Sequence, residues 1–219
     1  MIYLSSLIKS ARKCPDAPEV FVTAQDTLIK EICFVSISTA MSPEVRKFEE
    51  VKRNYAYFTG KGISETSIRR IGSHFYAIAK EYDVIYPNFP VEIDNISATI
   101  DAVGKIGEEY HGIIIDIDNK SIDEYSIAEK WSIESDIIIG LLKKIIKCDR
   151  IFCRIVLPYI GISAIVPGSG DWLDVAVSIH QSKTRKRGSW CMSCPIGCIP
   201  KFIGKPLPKG KIMRQNREA

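Results

Sequence analysis

The sequence predicts an α/β sandwich around a largely parallel sheet, closed by an antiparallel hairpin. Three observations point there. Residues 111–118 and 150–157 are short, nearly continuous apolar runs, the pattern of buried parallel strands. Between them Ile127, Trp131, Ile138, Leu141, Leu142 and Ile145 form one face of a long helix over about 126–147. Strand, helix, strand in that order makes a crossover unit, and crossovers join parallel neighbours.

The remaining elements follow along the chain. Residues up to 37 mix apolar runs with polar breaks and yield no firm type. Ser42-Pro43-Glu44 is a helix start, serine capping and proline in the first turn, so a short helix should run through 46–51. Residues 54–58 are aromatic-rich and read as a strand. They lead into Thr59-Gly60-Lys61-Gly62-Ile63-Ser64, a glycine turn. Ile68, Ile71, Phe75, Ile78 and Tyr82 then recur at helical spacing, placing a helix start near Glu65 with Ser64 as N-cap. Pro158 stops the strand at 150–157. Residues 174–180 alternate as a strand should, with 190–194 as the hairpin partner across the basic loop 183–188.

Composition narrows the function classes. A chain of 219 residues, 46% hydrophobic and 26% charged, can bury a real core. No apolar run reaches the length that spans a bilayer, and the first thirteen residues are too short and polar for a secretory signal. Seven cysteines without a disulfide-framework pattern favour a reducing, cytoplasmic setting. The net charge of +4 is unevenly spread. Residues 183–219 hold ten cations and one acid, while the first 182 residues carry 20 basic and 25 acidic side chains. An acidic body with a basic end is the footprint of a polyanion binder, against the plainer reading of a solvated tail. We therefore expect a domain over 1–195 and a basic tail over 196–219. Lys183, Arg185, Lys186, Arg187, Lys205, Lys209 and Lys211 are the expected RNA contacts.

Four places could carry chemistry. The glycine turn offers backbone to a ligand and unpaired N–H groups at the helix start, or is an ordinary strand-to-helix turn; it lacks the lysine of a phosphate-binding P-loop. Asp116 and Asp118 close the strongest strand and share a face, with Ile117 opposed, so they line a ligand crevice or cap the next helix. Arg154 lies within an apolar strand and needs an acidic partner; Asp116 on the neighbouring strand is the expected one. Cys191, Cys194 and Cys198 could present three thiolates to zinc with His180 as fourth ligand. The second C-x-x-C that would make that signal strong is missing, and no metal is assigned.

This order of elements resembles the RrmJ/FtsJ-like 2′-O-ribose methyltransferases, especially the cap-methylating domain of negative-strand RNA virus polymerases, over about residues 47–194. Lys47-Phe48-Glu49-Glu50-Val51 is similar to the family's lysine helix, and residues 58–67 to its cofactor loop. Asp116 stands where the family's catalytic aspartate ends a strand, and Arg154 where its second lysine stands. The resemblance implies a Rossmann-like three-layer sandwich and a viral, S-adenosylmethionine-dependent RNA cap methyltransferase. Lys47, Asp116 and Arg154 would be catalytic, and Thr59, Gly60, Gly62 and Ser64 would hold the cofactor. RNA would be the partner, with viral replication or capsid proteins as others, in host cytoplasm or virion. Arginine cannot share a proton as lysine does. Residues 181–190 contain no acid to supply the family's final glutamate. A catalytically inactive RNA-binding or assembly protein on the same scaffold is the alternative.

Overall fold

The computed structural model describes residues 1–12, 24–38, 49, 50, 52, 53, 56, 62–116, 127, 128 and 130–182. Six strands, β1 Ile2–Tyr3, β2 Val84–Ile93, β3 Ile96–Ile106, β4 Glu109–Ile115, β5 Ile151–Leu157 and β6 Ile162–Val166, form one open sheet. Helices α1 Leu4–Arg12, α4 Ser132–Ile145 and α5 Trp172–Ser182 cover one face; α2 Ala24–Ser38 and α3 Glu65–Ala79 cover the other. This is the expected three-layer α/β sandwich, Rossmann-like in that helices flank both faces of an open sheet.

The sheet is mixed rather than largely parallel. β4 and β5 pair in parallel through the α4 crossover, and the two residues of β1 run parallel to β3. The β2/β3, β3/β4 and β5/β6 pairs are antiparallel. The reason is connection length: two-residue links at 94–95 and 107–108 are too short for a crossover and can only reverse the chain. Asp94 and Gly107 take the left-handed backbone those reversals need, with φ of 53° and 55°. β2 forms one border of the sheet and carries Pro87 and Pro90, residues that sheets confine to edge strands and irregularities.

Three local expectations change. Residues 174–180 lie in α5, where Leu173, Ala176 and Ile179 are buried at a spacing of three, so helical contact with the core overrides the short alternation. The hairpin on that side of the sheet is β5/β6, and 190–194 lie outside the described residues. Ala56 is helical, so the strand expected over 54–58 is not formed there; β-propensity yields to context. Glu49, Glu50, Lys52 and Arg53 are helical, at and just beyond the expected 46–51 helix.

The alternation of side chains decides which groups can meet. On β4, Ile113 and Ile115 join the core under α2 and α3, whereas Gly112 faces Ile138 and Leu142 of α4. On β5, Cys153, Ile155 and Leu157 face α4, leaving Arg154 and Val156 to the other side.

Candidate functional site

The expected Arg154–Asp116 pair is not formed. Asp116 follows β4 in the same alternation as Gly112, so it belongs to the α4 face, where its Oδ2 accepts a 2.8 Å hydrogen bond from Trp131 Nε1. Arg154 projects to the opposite face, three residues back in register, opposite Ile113. There its Nη1 and Nη2 donate to Glu81 at 2.5 and 3.2 Å, Nη2 to Ser163 Oγ at 3.2 Å, and Nη1 lies 3.5 Å from Tyr82 Oη. Tyr82 Oη in turn lies 2.9 Å from His111 Nδ1. The buried arginine has the carboxylate that its burial demands, but from the turn between α3 and β2 rather than from the end of β4.

Of the expected cofactor loop, Ser64 caps α3, its Oγ accepting from Ser67 N at 3.1 Å. Gly62 is exposed, and a Cβ there would meet nothing within 4 Å. Thr59, Gly60 and Lys47 lie outside the described residues, as do Asp118, the three cysteines at 191, 194 and 198, and the basic residues from Lys183 onward. His180 sits in the last turn of α5.

A different group of residues comes together where β3 and β4 part. β2 pairs along one edge of β3 from Ile96 to Lys105, with Asp101 skipped. The other is shared, with β1 pairing at Ile96 and Ser97 and β4 from Ala102 onward. Among the described residues no strand pairs with that edge at 98–101, and Asp101 stands at its end. Its Oδ2 accepts the Ile115 N–H at 2.8 Å, replacing the ladder bond lost as β4 leaves. Its Oδ1 receives Lys30 Nζ from α2 at 2.7 Å. Asp116 continues on β5 through its own N–H, which donates to Val156 O at 3.0 Å, while its carboxylate is held by Trp131 on the α4 side.

Burial pushes the Asp101 carboxyl above the ordinary carboxylate range; Lys30 and the Ile115 N–H pull it down, and Asp116 pushes it up again. The Asp101 carboxylate is thus offset where it stands by the Lys30 ammonium and a backbone N–H.

Sequence reasoning passed over Asp101 and Lys30. The available signal was the one that singled out Arg154: Asp101 is the lone acid in the apolar stretch 96–104. Lys30 follows the buried Leu28 and Ile29 and precedes Ile32 and Cys33.

No family model matches this chain. No curated protein matches it either. The crystal structure of SSO0001 is similar over 92% of this chain and 96% of that one, at 12% identity and a TM-score of 0.33. A likeness of that size bears on neither fold nor function. No helix among the described residues is long and apolar enough to cross a membrane.

Proposed function

We propose that this chain is a divalent-cation-dependent phosphodiesterase acting on nucleic acid, with Asp101 and Asp116 as its cation-binding carboxylates. One observation carries the reading: Asp101, largely buried where β3 and β4 separate, lies within the electrostatic field of Asp116 at the end of β4. Hard oxygen donors suit Mg²⁺ or Mn²⁺ rather than softer metals. Among the described residues no group of three or more His, Cys, Asp or Glu side chains is placed to hold a metal. Two carboxylates, with water and a substrate phosphate as the other ligands, is how Mg²⁺ is usually held. When bound, such an ion supplies charge neutralisation at the phosphate and a more acidic water. The chain's own groups orient the donors: Ile115 N–H fixes one oxygen of Asp101, and Trp131 Nε1 fixes one of Asp116. Ten cations in the last 37 residues support a polyanionic substrate.

A ribose methyltransferase using S-adenosylmethionine is the second reading. Asp116 at the carboxyl end of the parallel β4/β5 pair favours it, since ligand crevices form at such strand ends. Against it, Arg154 is on the far face and engaged by Glu81.

Incubating the full chain with labelled single- and double-stranded DNA and RNA, with Mg²⁺ or Mn²⁺, separates these. Cleavage should require the metal, stop with chelator, and fall about a hundredfold or more in Asp101→Asn and in Asp116→Asn. No cleavage of any of the four substrates would reject the proposal. Calorimetric binding of S-adenosylmethionine with methyl transfer lost in Asp116→Ala would replace it by the second reading. RNA binding without either reaction would leave the non-catalytic role.

A further inference from the structure

We propose that the Tyr82–His111 hydrogen bond is a proton-operated latch, which ties the turn between α3 and β2 to β4 while His111 is neutral and releases it when His111 is protonated. It lies on the α2/α3 face of the sheet and is independent of the phosphodiesterase reading. Tyr82 Oη and His111 Nδ1 are 2.9 Å apart, and both residues are buried. The direction of this bond follows from the groups at either end. Arg154 Nη1, 3.5 Å from Tyr82 Oη, can only donate. Glu109 Oε2, 3.6 Å from His111 Nε2, can only accept, in an electrostatic contact slightly longer than a hydrogen bond. The imidazole proton therefore sits on Nε2, toward Glu109, and Nδ1 accepts from the phenol. Arg154, Tyr82, His111 and Glu109 thus make one chain with every proton pointing the same way. Its ends are fixed by Glu81 on Arg154 and by Arg150 on Glu109.

Protonation reverses one link of that chain. The imidazolium carries a proton on Nδ1 as well, which then faces the phenol proton. Among the described residues Tyr82 Oη makes no hydrogen bond besides those to His111 and Arg154, so a phenol proton turned aside meets no acceptor inside the protein. Around the ring, the turn supplies Glu81 and Tyr82, β4 supplies Glu109, and β5 supplies Arg154 and the Phe152 ring. His74 of α3 shares the fields of Arg154 and Glu81 and is itself kept neutral by burial; β3 places Gly104 opposite. Burial acts most strongly against the His111 imidazolium; Glu109 favours it, Arg154 opposes it and Glu81 favours it. Tyr82 keeps its proton throughout, because burial pushes the phenol further up. Release is local. The turn remains tied to β3 through Asp83, whose N–H donates to Lys105 O at 2.8 Å and whose Oδ2 accepts from Gly107 N at 2.7 Å.

The test is an NMR titration of the full chain from about pH 8 to about pH 5, comparing wild type with Tyr82→Phe and Glu109→Gln. It reads the His111 ring nitrogens and the hydrogen-exchange protection of residues 80–83. In wild type Nδ1 should be the bare nitrogen at the alkaline end, and protection at 80–83 should fall several-fold as His111 titrates. Tyr82→Phe keeps the ring packed over Gly104 and removes only the hydroxyl. Its His111 should bind the proton about three- to tenfold more tightly, the equivalent of one hydrogen bond, and protection at 80–83 should no longer follow that titration. Glu109→Gln removes the carboxylate that favours the imidazolium, so it should move the titration the other way and keep the latch closed to lower pH. A proton on Nδ1 at the alkaline end, an unshifted titration in Tyr82→Phe, or wild-type protection that ignores the titration overturns the latch. So does an imidazole that stays neutral until the chain unfolds. Should Tyr82→Phe fail to fold, a Glu109→Gln titration that is unshifted or shifted upward overturns it equally.

Discussion

Arg154→Lys asks whether this arginine is structural or chemical, and the geometry sets the size of the answer. The guanidinium makes three short contacts, two to Glu81 and one to Ser163, and is 10% exposed where Glu81 is 53% exposed. A lysine keeps the charge but offers a compact head that cannot span both Glu81 oxygens and still reach Ser163. Breaking a fully buried pair costs about 3–5 kcal/mol, but Glu81 is half in water and solvent screens the loss. Losing two of the three hydrogen bonds at about 1 kcal/mol each gives about 2 kcal/mol. For a chain of this size that corresponds to a fall in Tm of about 4–8 °C. Thermal and urea unfolding measure it, with Glu81→Gln as a milder companion at about 1 kcal/mol or less. Any metal-dependent cleavage per folded molecule should be unchanged, because Glu81 and Ser163 engage the Arg154 guanidinium, whereas Lys30 and the Ile115 N–H hold Asp101 and Trp131 holds Asp116. A variant with wild-type Tm but altered turnover or methyl transfer would refute the structural assignment and restore the arginine to the reaction centre.

Two further outcomes follow from the same structure. Burial holds His74 and His111 below the ordinary 6.5, so as pH drops below about 6.5 the unfolded chain takes up those protons first and stability is lost. His111→Gln should lose less stability than wild type between about pH 7 and pH 5 in urea unfolding, and parallel curves would contradict the assignment; the opposite-signed contribution of Asp101 cancels in that comparison. Gly140→Ala should destabilise by about 2–3 kcal/mol, since its Cβ would lie 2.5 Å from the Gly170 carbonyl oxygen and 2.7 Å from Leu173 Cβ. Gly62→Ala, which meets nothing within 4 Å, should change stability by less than about 0.5 kcal/mol, and an equal loss in both variants would discredit the packing argument.

What the sequence determined by itself is local and periodic. The apolar runs at 111–115 and 151–157 became β4 and β5, and the expected helix between them became α4 from Ser132, with Ile138, Leu141 and Leu142 buried and Ile145 exposed, because burial on both sides of a crossover leaves its mark in composition. Ser64 as the cap of α3 was legible because capping involves residues three apart. Arg154 shows where legibility stops. Its burial implied a carboxylate, but the choice of Glu81, 73 residues away, over Asp116 depends on which way a strand's side chains alternate once its neighbours are placed. Strand parity within β4 and within β5 can be counted in sequence; their relative parity is set by pairing register, which only the assembled sheet supplies. The same holds for Lys30 and Asp101, 71 residues apart on α2 and β3. Their meeting depends on how α2 and α3 stack against the sheet and on where β4 leaves β3 to make room for a carboxylate. No spacing along the chain encodes such a meeting, because it is enforced by the packing of apolar side chains from elements that lie far apart in sequence.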